Sequence, residues 1–333
     1  MDRPLNGVKV VEFEGLGPAP FAAMCLADMG ASVIRIGRRA PEAPDLWLDR
    51  DREVRVLDLK SAAGRDAALA LIADADVLIE GFRPGKMEAL GLGPAEAFAV
   101  QPGLIYGRMT GWGQEGPMAG LAGHDLNFLA MTGLLSLMGY EDRPPTPPLN
   151  LIADFGGGGL YLAFGIVCAL QQARVNGKGT IIDAAMVHGT SHLATFVHGR
   201  RAQGRWVDRR ESNALDGGAP FYRVYDCAEG GWMAVAAVEP QFWKAVVEVL
   251  ALPEDFIAHQ GDRSHWPAMI DRVAQCFKTR SRSEWEAAFD GIDACVSPVL
   301  SMEEASAHPQ LRDYFEPAGV ARRPRSAPRF VQP

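Results

Sequence analysis

The chain alternates short apolar runs with amphipathic stretches. In its first third the apolar runs are rich in β-branched residues and end at glycine or charged residues, which is typical of buried strands. The stretches between them have helical spacing. Strands that alternate with helices predict a mostly parallel sheet with crossover connections. The predicted strands are Val8–Phe13, Ala31–Ile36, Val54–Leu59, Ala75–Phe82 and Leu104–Thr110.

The pattern changes in the second half of the chain. Helices are predicted at Gly156–Arg174 and Met186–Gln203. Further along, β-rich runs at Phe221–Asp226 and Trp232–Val238 flank a glycine-containing turn, which predicts a β-hairpin. A parallel sheet followed by a hairpin indicates two differently built domains.

The length of 333 residues corresponds to about two domains. We predict an α/β protein with a large domain of residues 1–205, rejoined by 301–333, and a smaller α+β domain of residues 211–300. The 33 basic and 41 acidic residues give a net charge of −8, and 48% of the residues are hydrophobic. This composition excludes a disordered chain and argues against nucleic acid as a partner.

The five cysteines are scattered and contain no Cys-x-x-Cys pair, which predicts free thiols in a reducing compartment. The N-terminus has no apolar segment behind its charged residues, so we predict no secretory signal. The longest apolar stretch, about Gly156–Leu170, is shorter than the roughly 20 residues of a membrane span. We therefore predict a cytoplasmic protein with no membrane span.

A glycine turn, Gly15–Pro18, follows the first predicted strand, where a dinucleotide-binding fingerprint would lie. Pro20 occupies the position of the third glycine, and no acidic residue closes the second strand. The sequence therefore argues against NAD binding.

Basic residues cluster after the predicted strands. Parallel strands end at the ligand-binding edge of such a sheet, where guanidinium groups suit phosphates. Their spacing alone leaves two interpretations open, a phosphate site or scattered solvated charges. The cluster consists of Arg35, Arg38, Arg39, Arg52, Arg55, Lys60 and Arg83.

Titratable residues stand at two predicted helix starts. His124 and Asp125 precede one helix, and Asp154 precedes four glycines, 156–159, that open the next. Free backbone N–H groups at such positions can hold an anion, although an aspartate there can also be a simple helix cap. Each glycine costs a helix about 1 kcal/mol relative to alanine, so the run predicts a close approach to this backbone.

One candidate metal site is weak. His188 and His192 are four residues apart on a predicted helix, but no third ligand is evident. We predict no metal.

Several of these segments, in this order, resemble the α-methylacyl-CoA racemases of the family III CoA-transferase superfamily. The resemblance extends over roughly residues 5–300. The matching segments are Gly7–Glu12, Gly15–Pro18, Leu26–Ala31, Ala75–Gly85, Met109–Gln114, Gly123–Asp125, Asp154–Gly158, Asp183–Met186 and Leu215–Pro220.

The resemblance implies an interlocked homodimer in which each chain has a Rossmann-like large domain and a small domain. It implies an acyl-CoA substrate, with CoA as part of that substrate and no separate cofactor. It matches His124 and Asp154 to the acid/base pair, and Asp125 and Glu239 to supporting carboxylates. The active site would contain the partner subunit's Glu239. The matched CoA-contacting positions are Arg38, Lys60 and Arg83.

The chemistry implied is inversion at C2 of a 2-methylacyl-CoA. One group removes the proton from one face, and the other returns a proton to the opposite face, through an enolate. For Asp154 to act as an acid near neutral pH, its pKa must be raised, and we expect burial near Glu239 to do so. We further expect N–H groups at the Asp154 helix start to stabilise the enolate oxygen.

Two alternatives differ in their need for His124. A family III CoA-transferase would use Asp154 as the nucleophile that forms an acyl anhydride, and it needs no histidine beside it. A non-catalytic CoA-binding protein needs the basic residues but not the His–Asp pair. Both are less consistent with the sequence than racemisation.

Overall fold

The computed structural model describes residues 3–39, 47–319 and 321–331. The chain divides into two compact units. The first unit comprises residues 1–134, 148–196 and 323–333, and the second comprises 135–147 and 197–322.

The first unit is built on a six-stranded sheet with the order β3-β2-β1-β4-β5-β6, as far as the described residues show. Every neighbouring pair is parallel. This is the strand order of a Rossmann fold, and it confirms the predicted fold class. The strands are β1 Lys9–Phe13, β2 Ser32–Gly37, β3 Arg52–Val56, β4 Val77–Glu80, β5 Ile105–Thr110 and β6 Thr180–Ala185.

The first-unit helices α1 to α6 lie between these strands along the chain, and α7 follows β6. The apolar faces of α2 and α4 pack with β1, β4 and β5 in one core cluster. The helices are α1 Pro18–Asp28, α2 Ala62–Ala73, α3 Lys86–Ala89, α4 Pro94–Val100, α5 Asp125–Met131, α6 Leu160–Asn176 and α7 Met186–Leu193.

Two predicted helices differ from the structure. The helix expected from Gly156 begins earlier, with a π-helical segment, Leu151–Gly159, that leads directly into α6. The helix expected over Met186–Gln203 is interrupted at Ala194, after which α8 covers Thr195–Ala202.

The continuous helical stretch Leu151–Asn176 has 26 residues and contains an 18-residue window with a mean hydropathy of 1.6, so by length and composition it could cross a membrane. It is longer than the apolar stretch counted in the sequence because the π-helical segment begins before Gly156 and α6 continues beyond Leu170. Leu162, Ile166 and Leu170 on this helix are buried, and α6 contacts α1, β5 and β6. We interpret it as a core helix of the first unit.

The second unit contains an antiparallel sheet of order β7-β8-β9 and a core rich in aromatic residues. The predicted hairpin is confirmed as β7 and β8. The strands are β7 Tyr222–Asp226, β8 Trp232–Ala236 and β9 Val296–Pro298. The helices are α9 Pro240–Val249, α10 Asp255–Ala258, α11 Trp266–Phe277, α12 Arg282–Phe289 and α13 Met302–Ala307. Two 3₁₀ turns, Leu134–Leu137 and Arg312–Tyr314, and the paired strands β10 Phe315–Ala318 and β11 Ala321–Pro324 complete the elements.

The second unit is larger than the small domain expected at 211–300. The guanidinium of Arg210 donates to the carbonyls of Ser136, Tyr140 and Arg143 at 3.0–3.2 Å, which holds residues 135–147 in this unit. An ion pair between Arg282 and Glu304 joins α13 to α12. Residues 301–322 therefore belong with the second unit, and only 323–333 cluster with the first.

Candidate active site

A cavity of about 650 Å³ lies in the first unit, at the carboxyl ends of the parallel strands. Its walls include the segments that follow β1, β4 and β5: 16–18, 81–84 and 111–112. The strand order reverses direction between β1 and β4, and this switch point is where open α/β sheets bind ligands. His124, Asp154 and Arg83 line this cavity.

Asp154 lies in the π-helical segment and is half-buried. Its Oδ2 is 3.5 Å from the Nδ2 of Asn150, one helical turn earlier. On its other side is Gly17, where an added Cβ would lie 3.5 Å from the same Oδ2. Gly17 precedes α1 and has a φ of 67°, a left-handed conformation that favours glycine, so the turn after β1 brings its backbone beside this carboxyl group.

Asp125 is buried and fixes the backbone that carries Asp154. Its Oδ2 accepts the N–H groups of Ala153 at 2.7 Å and Asp154 at 2.8 Å. The supporting role of Asp125 in the reaction stays a prediction. Because these two N–H groups are already occupied, our expectation that they stabilise an enolate oxygen is wrong for both of them.

The pKa of Asp154 is raised above its ordinary value. Burial is the largest cause, and the negative charge of Asp125 adds to it. The hydrogen bond from Asn150 and the nearby His124 act in the opposite direction. The pKa of Asp154 is therefore raised as expected, but the neighbouring carboxylate that contributes is Asp125 of the same chain, where we expected Glu239.

His124 is exposed at the start of α5, and its backbone N–H donates to the side-chain oxygen of Asn127 at 3.1 Å. Phe128 packs α5 against the segment after β5: its ring contacts Trp112 edge-on, with 4.7 Å between the ring centroids. A Cβ added at Gly123 would lie 2.7 Å from the Phe128 ring. Close packing around Phe128 thus sets the position from which His124 faces the cavity.

The predicted close approach to the glycine run is correct, but the approaching groups are the protein's own helices. A Cβ at Gly157 would lie 2.5 Å from the Oγ1 of Thr190 on α7. A Cβ at Gly159 would lie 2.7 Å from the carbonyl oxygen of Pro18 on α1. The glycines therefore let three helical segments pack together beneath Asp154.

The basic residues fall into two groups. Arg35 pairs with Asp49, Arg52 with the buried Glu12, and Arg55 with Glu53. These three arginines serve ion pairs within the fold.

The other four, Arg38, Arg39, Lys60 and Arg83, are exposed and, among the described residues, form no ion pair with a carboxylate. They follow β2, β3 and β4. Arg83 lines the cavity, whereas Arg38 and Lys60 are not among the residues that form its walls.

Two other candidates are not among the residues that line this cavity. Glu239 belongs to the second unit, where it precedes the first turn of α9. His192 is engaged by Tyr161, whose hydroxyl is 2.6 Å from its Nδ1. In the described part of the chain, no group of three or more potential metal ligands is present.

Sequence reasoning assigned no role to Asn150 or Trp112, although both line the cavity. Asn150 could have been found from its spacing, because a residue four positions before Asp154 lies on the same helical face. Trp112 had no comparable signal, because its contact with α5 depends on tertiary packing.

Comparison with known proteins identifies the class. Residues 5–316 match CoA-transferase family III, and the chain belongs to this family. It is 45% identical to the α-methylacyl-CoA racemase of Mus musculus over 309 residues, which covers 93% of this chain and 81% of that protein. It is also 45% identical to the α-methylacyl-CoA racemase of Homo sapiens, covering 91% of this chain and 80% of that protein.

The solved structure of a CAIB/BAIF family protein from Brucella suis is similar to the whole chain. It has a TM-score of 0.83 and 26% sequence identity, and the match covers 99% of this chain and 93% of that one. The family resemblance inferred from the sequence segments is thus confirmed.

Proposed function

We propose that this protein is a racemase that inverts the C2 centre of 2-methylacyl-CoA thioesters. The observation that carries the proposal is that His124 and Asp154 line one cavity, at the switch point of the sheet, and that the pKa of Asp154 is raised. The 45% identity to two α-methylacyl-CoA racemases supports it.

The two groups suit a two-base reaction. Neutral His124 removes the C2 proton from one enantiomer, and protonated Asp154 delivers a proton to the opposite face of the enolate. In the reverse direction Asp154 is the base and the imidazolium is the acid. Because burial and Asp125 favour the protonated carboxyl group, Asp154 can serve as an acid closer to neutral pH than an exposed aspartate.

CoA is part of the substrate in this proposal, and no other cofactor is assigned. Its phosphates would be bound by Arg38, Lys60 and Arg83, three exposed cations that follow β2, β3 and β4 and form no ion pair with a carboxylate of the described residues. Charge-assisted contacts from guanidinium groups to phosphate are both strong and directional.

Solvent isotope exchange tests the proposal. Either enantiomer of a 2-methylacyl-CoA, incubated with the protein in D₂O, should incorporate deuterium at C2 and approach a racemic mixture. No acceptor acid should be needed. Activity that depends on an added carboxylate, with an Asp154 acyl adduct trapped by hydroxylamine, would instead establish the CoA-transferase alternative.

We further propose a homodimer whose active site contains the partner subunit's Glu239. Chains carrying Glu239→Ala and chains carrying His124→Ala should then complement each other when co-expressed in equal amounts. Random pairing makes half of the dimers mixed, and each has one intact site of two, so about a quarter of the wild-type rate should return. No recovery, or a monomer in light scattering, would contradict the shared site.

A further inference from the structure

The loop that carries Arg83 is held at both ends by one buried guanidinium. Arg108 on β5 is only 8% exposed. Its Nε donates to Oε1 of Glu80 at 3.1 Å, and its Nη2 donates to Oε1 of Glu88 at 2.7 Å. Glu80 is the last residue of β4, and Glu88 lies in α3, so the two carboxylates bracket the connecting loop.

The loop itself is tightly ordered. The second oxygen of Glu80, Oε2, accepts the N–H of Phe82 at 2.8 Å. The carbonyl oxygen of Arg83 accepts the N–H of Lys86 at 3.1 Å, and Gly85 takes a left-handed conformation with a φ of 79°. The backbone on both sides of Arg83 is therefore fixed, while its side chain stays exposed at the cavity.

Arg108 does more than provide a buried counter-charge for Glu80. Glu80 and Arg108 are direct cross-strand partners, so the ion pair between them already places a counter-charge beside the buried carboxylate of Glu80. The additional bond to Glu88, whose side chain is 45% exposed, gives the second arm of the buried guanidinium an acceptor and ties α3 to β5. It closes the loop.

We propose that Arg108 is a positioning residue for CoA binding: by holding Glu80 and Glu88 together, it fixes the direction from which Arg83 meets the phosphates of CoA. This inference rests on the proposed function, since it takes Arg83 as a CoA contact. A fork of N–H donors is suited to this bridge, whereas a lysine ammonium would not hold both carboxylates in one geometry.

The decisive variant is Glu88→Gln, which weakens one end of the bridge, because a neutral amide oxygen accepts the guanidinium N–H less strongly than a carboxylate does, and leaves the buried Glu80–Arg108 pair intact. Glu96→Gln is the matched control, because it removes the same charge from the exposed surface of the next helix, α4, without touching Arg108. By charge alone, both variants should bind the phosphates of CoA slightly more tightly. If the bridge positions Arg83, Glu88→Gln should bind CoA more weakly.

The measurement is the Kd for CoA by calorimetry, with pantetheine, which lacks the nucleotide part, as the second ligand. Glu88→Gln should raise the Kd for CoA roughly three- to tenfold, within the range of coupling between neighbouring groups, and leave pantetheine unchanged. Arg83→Ala should weaken CoA binding less in the Glu88→Gln background than in the wild type. Arg108→Lys should repeat the selective loss for CoA if it folds.

Several results would overturn the inference. A Glu88→Gln variant that binds CoA as well as the Glu96→Gln control would do so, and so would equal losses for CoA and pantetheine. A wild-type protein that binds no CoA would overturn the proposed function as well. A wild-type protein that binds CoA but does not racemise would leave the positioning role standing, because calorimetry does not depend on turnover.

Discussion

The acid/base residues and two of the three cations proposed for CoA, Arg38 and Lys60, are supported in different ways. Asp154 sits on a segment that is packed through glycines and bonded by a buried carboxylate, so its position and its pKa are both set by the fold. Arg38 and Lys60 are exposed side chains at strand ends. Proton transfer needs fixed distances and a tuned pKa, whereas a long flexible anion needs charge within reach.

The strongest test of this contrast removes the acid/base groups. Asp154→Asn and His124→Gln should each lower racemisation by on the order of 10²-fold or more. Each variant keeps one base, so it should still exchange the C2 proton of the enantiomer that faces this base without inverting it. Deuterium incorporation and chiral analysis, followed separately for each enantiomer, measure both effects. Near-wild-type inversion in either variant would remove that residue from the mechanism.

Substitution of a cation proposed to bind CoA should change the affinity for the substrate rather than the rate of proton transfer. Arg38→Ala should raise the Kd for acyl-CoA roughly ten- to hundredfold, as expected for the loss of contacts worth about 1.5–3 kcal/mol, and leave an acyl-pantetheine thioester almost unaffected. Arg39→Ala is the matched control, since the neighbouring arginine is also exposed. Equal losses in both variants would indicate a general effect of net charge and contradict a specific contact of Arg38.

The strands of the sheet could be predicted from the sequence because each strand coincides with a short run of residues that is recognisable by itself. Predicted strand boundaries lie within three residues of β1 to β5, since buried β-branched runs in a parallel sheet stand out from their surroundings. The hairpin of β7 and β8 was recognisable for a similar reason, because its turn glycines are adjacent to the strands.

Contacts between distant residues could not be predicted in the same way. Which arginines remain for a ligand depends on pairs such as Arg52 with Glu12, 40 positions apart. Asp125 reaches the N–H groups of residues 28 and 29 positions later. The affiliation of residues 135–147 with the second unit depends on Arg210, which no periodicity reveals.

A substitution in the glycine run, residues 156–159, tests whether close helix packing positions the segment that carries Asp154. Gly157→Ala would place a Cβ against the backbone of Thr190, with 2.6 Å to its nitrogen, so α7 or the π-helical segment must shift. We expect a loss of about 1–3 kcal/mol in the free energy of unfolding, together with reduced racemisation, because Asp154 lies one turn away. Denaturant unfolding measures the first effect.

Gly199→Ala is the matched control for this substitution. Gly199 lies in α8, and an added Cβ would meet nothing within 4 Å. Alanine there should be neutral or stabilising by up to about 1 kcal/mol. An equal loss in the free energy of unfolding in both variants would mean that the space for a side chain at position 157 is not restricted by Thr190.

The smallest expected effect is a gain in stability, and it depends on pH. A carboxyl group whose pKa is raised in the folded state binds its proton more tightly there than in the unfolded chain, so ionised Asp154 destabilises the fold near neutral pH. Asp154→Asn removes this penalty and should have a higher Tm than the wild type at pH 7. The difference should shrink as the pH falls through the raised pKa and vanish below the unfolded value of about 3.9, where the wild-type group is protonated in both states. Calorimetric scans between pH 7 and pH 4 measure this difference in Tm, with the exposed Asp290→Asn as a control expected to show no such trend. A Tm difference that stays constant over this range would mean that the environment of Asp154 does not favour its protonated form, and it would remove the basis for Asp154 as an acid.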